Sequence, residues 1–226
     1  MITKVVIRRF KRFKDETFIL PGHIVLAGPN NMGKTTVLQA IAAWSLALQR
    51  WRQLNDFRKH GGAYSKAPIA RQAFAAVPLR AFDLLWHDRL HSGAIEIEIH
   101  ADEGWTIPME IIADSTEQIY VRPKSDVDSE VLKNVKLTTA FVPPMTGLGT
   151  AEPVYQPPKI EQLPGLGRPG EVLRNLLVEA NRLDVFHELQ GSMFEMFGCG
   201  IDLPNDTGAD ILVEYEDRPG GPKFDI

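Results

Sequence analysis

The sequence predicts an α/β fold in which central strands surround one long helix and an antiparallel β block flanks them. Three observations carry that expectation. A continuous apolar run, His23-Ile-Val-Leu-Ala27, leads through a glycine-bearing loop into helical periodicity from Thr35 to about Leu54, and such a run suits a strand buried on both faces. β-branched residues cluster at Val5, Val6 and Ile7 near the start of the chain. Between residues 94 and 142, apolar and polar residues alternate in short stretches parted by polar turns.

Composition sets the outer limits. The 226 residues carry 25 Lys and Arg against 29 Asp and Glu, a net charge of −4, with 44% hydrophobic residues. That length and apolar content suffice for a sizeable core and exclude wholesale disorder. The longest apolar stretch, Ile41–Leu48, is interrupted by Ser45 and falls well short of the ~20 residues of a membrane span, so no membrane partner is expected. The first residues lack the apolar core of a secretory signal. A single cysteine, Cys199, cannot form an intrachain disulfide, which points to a reducing, cytoplasmic setting. Mild acidity argues against a generally basic nucleic-acid-coating surface.

The elements follow in order. Residues 2–10 and Thr17–Leu20 read as strands, Pro21-Gly22 as a turn, and His23–Ala27 as a central strand. In the helix after the loop, Val37, Leu38, Ile41, Ala42, Leu46 and Leu48 mostly share one broad face. Gly61-Gly62 and Pro68 mark a loop over 59–70, and Arg80–His91 reads as a short helix. Strands follow at Ala94–His100, Thr106–Ile112, Gln118–Val121 and Lys136–Val142, joined as a meander. Seven prolines and five glycines fill 143–170, a stretch expected to sustain neither helix nor central strand. Helical periodicity returns over Gly170–Phe197, and Asp210–Glu216 reads as a last strand. The expected organisation is an N-terminal lobe over 1–142, a Pro/Gly-rich connection over 143–170, and a helical segment with a final strand over 171–226, the incomplete start of a second lobe.

The most informative segment is Gly28-Pro29-Asn30-Asn31-Met32-Gly33-Lys34-Thr35-Thr36, which fits the phosphate-loop pattern G-x-x-x-x-G-K-[ST]. The glycines let the backbone fold tightly, so that successive N–H groups converge on phosphate oxygens. The helix opening near Gly33 aims its positive end at the same point. Lys34 offers a point charge to the β- and γ-phosphates, the Thr35 hydroxyl a ligand to Mg²⁺, and Thr36 a reach to the α-phosphate.

A strand, then Phe10-Lys11-Arg12-Phe13, a second strand and the loop G-P-N-x-x-G-K-T together resemble the N-terminal part of an ABC-type ATPase. The likeness is to the SMC, RecF and OLD group of AAA-family ATPases and is carried by residues 1–45. It implies a P-loop NTPase fold with the antiparallel block as a side sheet beside the nucleotide. It also implies ATP and Mg²⁺ as ligands, and a homodimer closing over two ATP molecules in the intact protein. Hydrolysis would serve DNA repair, chromosome maintenance or phage defence, with DNA as a further partner. By the same resemblance Arg12, or Lys11, lies near the phosphates or ribose. A solvated basic turn is the alternative. The cluster Lys4, Arg8, Arg9, Lys11, Arg12 and Lys14 could meet DNA or guard a strand edge against edge-to-edge pairing.

The sequence departs from that family in places. Where a Gln that contacts Mg²⁺ or water is expected, the chain has Pro143-Pro144-Met145-Thr146, so no residue is assigned that role. Neither Glu110–Asp114 nor Ile211–Asp217 reads convincingly as the apolar strand ending in Asp-Glu that holds Mg²⁺ and polarises water. Gly220-Gly221, between Pro219 and Pro222, cannot open a helix as a signature motif does. The expectation is therefore an N-terminal, ATP-binding portion of a longer ATPase; the alternative is a self-contained phosphate-loop protein with atypical catalytic residues. Two rivals stand beside it. One is a P-loop small-molecule kinase, for which Arg168 and Arg174 are the only candidate lid arginines. The other is a nucleotide-binding scaffold module without catalysis. His87-Asp88-Arg89-Leu90-His91 superficially resembles a zinc motif but reads as a polar helix face, Cys199 as a buried structural thiol, and Trp44 and Trp51 as packing residues.

Overall fold

The computed structural model describes residues 1–71, 74, 77, 81–115, 117–137, 139, 148–165 and 168–226. The chain separates into two compact units, Met1–Val142 and Pro143–Ile226.

Unit 1 is built around β1 (Ile2–Phe10), β2 (Phe13–Ile19) and α1 (Lys34–Leu54). Further along the chain come the short β3 (Lys59–His60) and β4 (Ala63–Tyr64), which pair with each other, and β5 (Ala67–Ala70). The meander follows: β6 (Ile95–Ala101), β7 (Thr106–Ala113) and β8 (Gln118–Pro123). A six-stranded sheet runs β2-β1-β6-β7-β8-β5, and every pairing in it among the described residues is antiparallel. The alternation in Ile95–Ala101 becomes a face of buried Ile95, Ile97 and Ile99 and an opposite face of Glu96, Glu98 and His100. Val5, Ile7, Ile107, Met109, Ile111, Ile119 and Val121 extend the buried face.

Helix α1 covers that face with Val37, Ala40, Ala43, Trp44, Ala47, Leu48 and Trp51, spaced at three and four residues as an amphipathic helix requires. Both tryptophans are fully buried, and each finds a carbonyl for its indole N–H. Trp44 donates to the Ile107 carbonyl and Trp51 to that of Ser65, both at 2.8 Å. Arg52 adds bonds from the last helical turn to the carbonyls of Val135 and Lys133, beside the short α2 (Ser129–Asn134), whose N-cap is Asp128.

Unit 2 holds α3 (Pro157–Gly165), α4 (Leu173–Arg182), α5 (Phe186–Phe197) and a small antiparallel sheet of β9 (Gly200–Ile201), β10 (Glu214–Glu216) and β11 (Lys223–Asp225). Val178, Phe186, Ile201, Ile211 and Val213 form its core. The start of α4 is closed by a buried carboxylate from another segment. Glu152 Oε2 accepts from the Arg174 amide at 3.0 Å, and Oε1 from the Asn175 amide and side chain, both at 2.7 Å.

Several expectations are corrected. His23–Ala27 is not a strand: it has no regular structure, and Val25 is 91% exposed. A run apolar on both faces needs neighbouring strands and cover on both sides, and no strand among the described residues pairs with it. Residues 2–10 and 13–19 instead continue the meander sheet. The expected loop at 59–70 carries three short strands. The expected helix at Arg80–His91 is, where described, two 3-10 turns, Phe82–Leu85 and His87–Arg89. Asp88 and Arg89 take positive φ, which a helix does not accommodate. Residues 136, 137 and 139 form no strand; the remainder of Lys136–Val142 and the Pro143–Thr146 stretch lie outside the described residues. A helix does form within the proline-rich segment, because Pro157 and Pro158 occupy its first turn, where no intrahelical N–H is required.

Candidate functional site

The loop that carries the phosphate motif joins an uncommitted segment to the most deeply packed helix in unit 1. Gly28 has φ +143°, Asn31 +65° and Gly33 +95°, conformations open to glycine and tolerated by asparagine. Helix α1 starts at Lys34 with Gly33 as its N-cap, no side chain caps it, and its first turn contains no acid. Its positive end is therefore uncompensated. Among the described residues, none of the amides of residues 30–36 has a hydrogen-bond partner. Lys34 folds back over the loop, donating to the Gly28 carbonyl at 2.6 Å and the Pro29 carbonyl at 2.7 Å, which leaves one ammonium proton unspent. Thr35 is exposed and Thr36 half-buried, as Asn30, Asn31 and Met32 are exposed.

The basic turn sits against this loop. A Cβ on Gly33 would lie 2.5 Å from Phe13 Cζ and 2.9 Å from Arg12 Cδ, so the Phe13 ring and the Arg12 stem pack on the glycine itself. Arg12 is exposed, and among the described residues its guanidinium has no partner. Lys11 turns the other way: its ammonium donates to Gln39 Oε1 on α1 at 2.8 Å, and burial lowers its pKa from the ordinary lysine value. The turn has Lys11 at φ +52°, an uncommon conformation for a lysine, and bonds from outside hold it there. The Lys11 amide donates to the Leu85 carbonyl at 2.7 Å, and His87 Nδ1 bonds the Lys11 carbonyl at 3.0 Å. Sequence reasoning missed Leu85, His87 and Gln39; no local pattern announces a bond between residues 76 positions apart.

The other basic residues of the cluster are largely neutralised in space. Arg8 pairs with Asp15 and Glu96, and Arg9 and Lys124 also reach Glu96. Burial alone would raise the Glu96 pKa, but bonds and charge from Lys124 and Arg9 outweigh it and hold the carboxyl below its ordinary value. Lys4, Arg12 and Lys14 are the members without such a partner among the described residues.

Among the described residues, Glu110 and Glu216 of the two candidate strands are engaged elsewhere. Glu110 is bonded to Arg122 at 2.7 Å on the sheet face away from α1. Glu216 accepts from the Gly220 amide inside the β10–β11 hairpin, and that turn is all that Gly220-Gly221 forms. Among the described residues no group of His, Cys, Asp and Glu could hold a metal ion, and His91 packs edge-on against Trp86. Cys199 is partly exposed rather than buried. No helix among the described residues is long and apolar enough to cross a membrane.

Chemically, the loop gathers donors of the kind anions take: amides without a partner among the described residues, an uncapped helix end, and a lysine and arginine at its rim. Neither the family models nor the curated proteins compared with this chain match it. Residues 28–36 have the donors that a triphosphate needs. The Thr35 hydroxyl, exposed and without a hydrogen-bond partner among the described residues, offers an oxygen of the kind Mg²⁺ takes.

Proposed function

We propose that unit 1 binds ATP·Mg²⁺ through Gly28–Thr36, as part of a P-loop NTPase of the ABC type resembling the SMC, RecF and OLD group. The observation that carries the reading is the set of amides at residues 30–36 that have no partner among the described residues, at the start of an uncapped helix. The loop backbone and the helix end hold the phosphates, Lys34 and Arg12 supply positive charge, and Thr35 supplies an oxygen to Mg²⁺. The bound ion neutralises charge between the phosphates. In the intact protein two such heads close over two ATP molecules, and hydrolysis serves DNA repair, chromosome maintenance or phage defence.

Of the two lid candidates of the kinase reading, Arg168 is exposed in a surface ion pair with Glu171, at 2.5 Å and 2.6 Å, and Arg174 is buried, 5% exposed, beside Glu152. Titration of ATP with and without Mg²⁺ tests the proposal. Mg²⁺ tightens binding in the wild type, and Thr35→Ala abolishes that increment while leaving metal-free binding unchanged. An equal Mg²⁺ effect in both proteins contradicts the role of Thr35. Steady-state phosphate release then separates the classes: a kinase turns over only with an acceptor, a scaffold not at all, and an ATPase of this type at a basal rate sensitive to DNA or dimerisation.

A further inference from the structure

The segment Leu85–Asp88 has no part in the phosphate motif, yet it holds the residues that flank it. Main-chain bonds grip Lys11 from both sides: its amide donates to the Leu85 carbonyl at 2.7 Å and its carbonyl is bonded by His87 Nδ1 at 3.0 Å. Phe10, fully buried, bridges to Trp86 between those two anchors. From the gripped residue the chain passes to Arg12 and Phe13, whose side chains pack on Gly33. The Lys11 ammonium is bonded to Gln39 on α1. The turn is therefore tied at three points, and only one of them, His87, uses a side chain from outside the turn and the loop's own helix.

We infer that His87 is a positioning residue for the nucleotide site, resting on the reading of residues 28–36 as that site. Its Nδ1–H donates to the Lys11 carbonyl and fixes the turn in its left-handed conformation, so that the Arg12 guanidinium is presented at the loop rim. Asp88 Oδ2 lies 3.4 Å from His87 Nε2. His87 touches no ligand in this scheme; it acts through Arg12.

A double-mutant cycle tests it in the full chain. His87→Phe keeps the ring and removes the donor, while His87→Asn restores an N–H near the Nδ1 position. ATP·Mg²⁺ affinity is measured for each variant, alone and with Arg12→Ala, alongside hydrogen exchange of the Lys11 and Arg12 amides without nucleotide. The expected result has four parts: His87→Phe weakens ATP about three- to tenfold, the worth of one hydrogen bond; His87→Asn recovers it; the loss shrinks below about twofold with Arg12→Ala; and the Lys11 amide loses protection in His87→Phe. Three outcomes overturn the inference: unchanged affinity in His87→Phe, an undiminished loss with Arg12→Ala, or unaltered exchange at Lys11. If the wild type fails to bind ATP, the reading of the site fails, and the exchange measurement still decides whether His87 holds the turn.

Discussion

Helices α1 and α4 begin in opposite ways. At α4 the amides of Arg174 and Asn175 are taken by the buried carboxylate of Glu152, which is 3% exposed. At α1 no side chain caps the start, no acid lies in the first turn, and the amides around it have no partner among the described residues. A buried polar group left unpaired is costly, so the fold closes the α4 start with its own anion. The α1 start is flanked by exposed Asn30, Asn31, Met32 and Thr35, where amides without a protein partner stay within reach of solvent. One helix end is closed by the fold's own carboxylate, and the other has no such partner among the described residues.

Removing Glu152 breaks this contrast most strongly. Glu152→Ala leaves the amides of Arg174 and Asn175 without their acceptor, takes one of two acceptors from the Asn175 side chain and removes the charge 4.0 Å from the buried Arg174 guanidinium, and should destabilise unit 2 by about 3–5 kcal/mol in urea melts. By comparison, Thr35→Ala at the open end should shift stability by less than about 0.5 kcal/mol. A smaller but distinct effect is expected at Gly33. An alanine there must adopt φ +95° and meet the Phe13 ring, so Gly33→Ala should cost about 1–3 kcal/mol and displace the Arg12 turn, measured as a lower melting temperature together with weaker ATP binding.

Glu96 is a second carboxylate, saturated by cations rather than amides, and its effect is smaller than that of Glu152. Its folded pKa lies below the unfolded value, so its contribution is complete above the ordinary glutamate value and disappears as pH falls through the folded one. Glu96→Gln should therefore cost about 1–2 kcal/mol at neutral pH. The gap between the two proteins should close as the pH is lowered through that range in melts recorded from neutral to acidic conditions. A gap that persists at low pH would show that packing, not charge, accounts for the loss.

Much of unit 1 was legible because its signals are local. Alternation in Ile95–Ala101 needs one covered face, and α1 supplies it. The glycines of the loop and the helical spacing from Val37 to Trp51 are likewise written into adjacent residues. His23–Ala27 misled because its composition specifies burial on both faces, which neighbours beyond the run must provide. The 3-10 turns at 82–89 were unreadable for a related reason: positive φ at Asp88 and Arg89 and the bond from His87 to Lys11 depend on contacts distant in sequence. Glu152 sits in a proline-rich stretch whose periodicity is silent about the helix it caps.

The central claim is that the open start of α1 and its loop form an ATP site. Calorimetric titration of ATP·Mg²⁺ into the wild type and Lys34→Ala tests it most directly. The account predicts saturable binding by the wild type and its loss in the variant, with the melting temperature of the free protein nearly unchanged because Lys34 bonds only exposed loop carbonyls. Equal affinity in the two proteins, or no binding by the wild type, would contradict it.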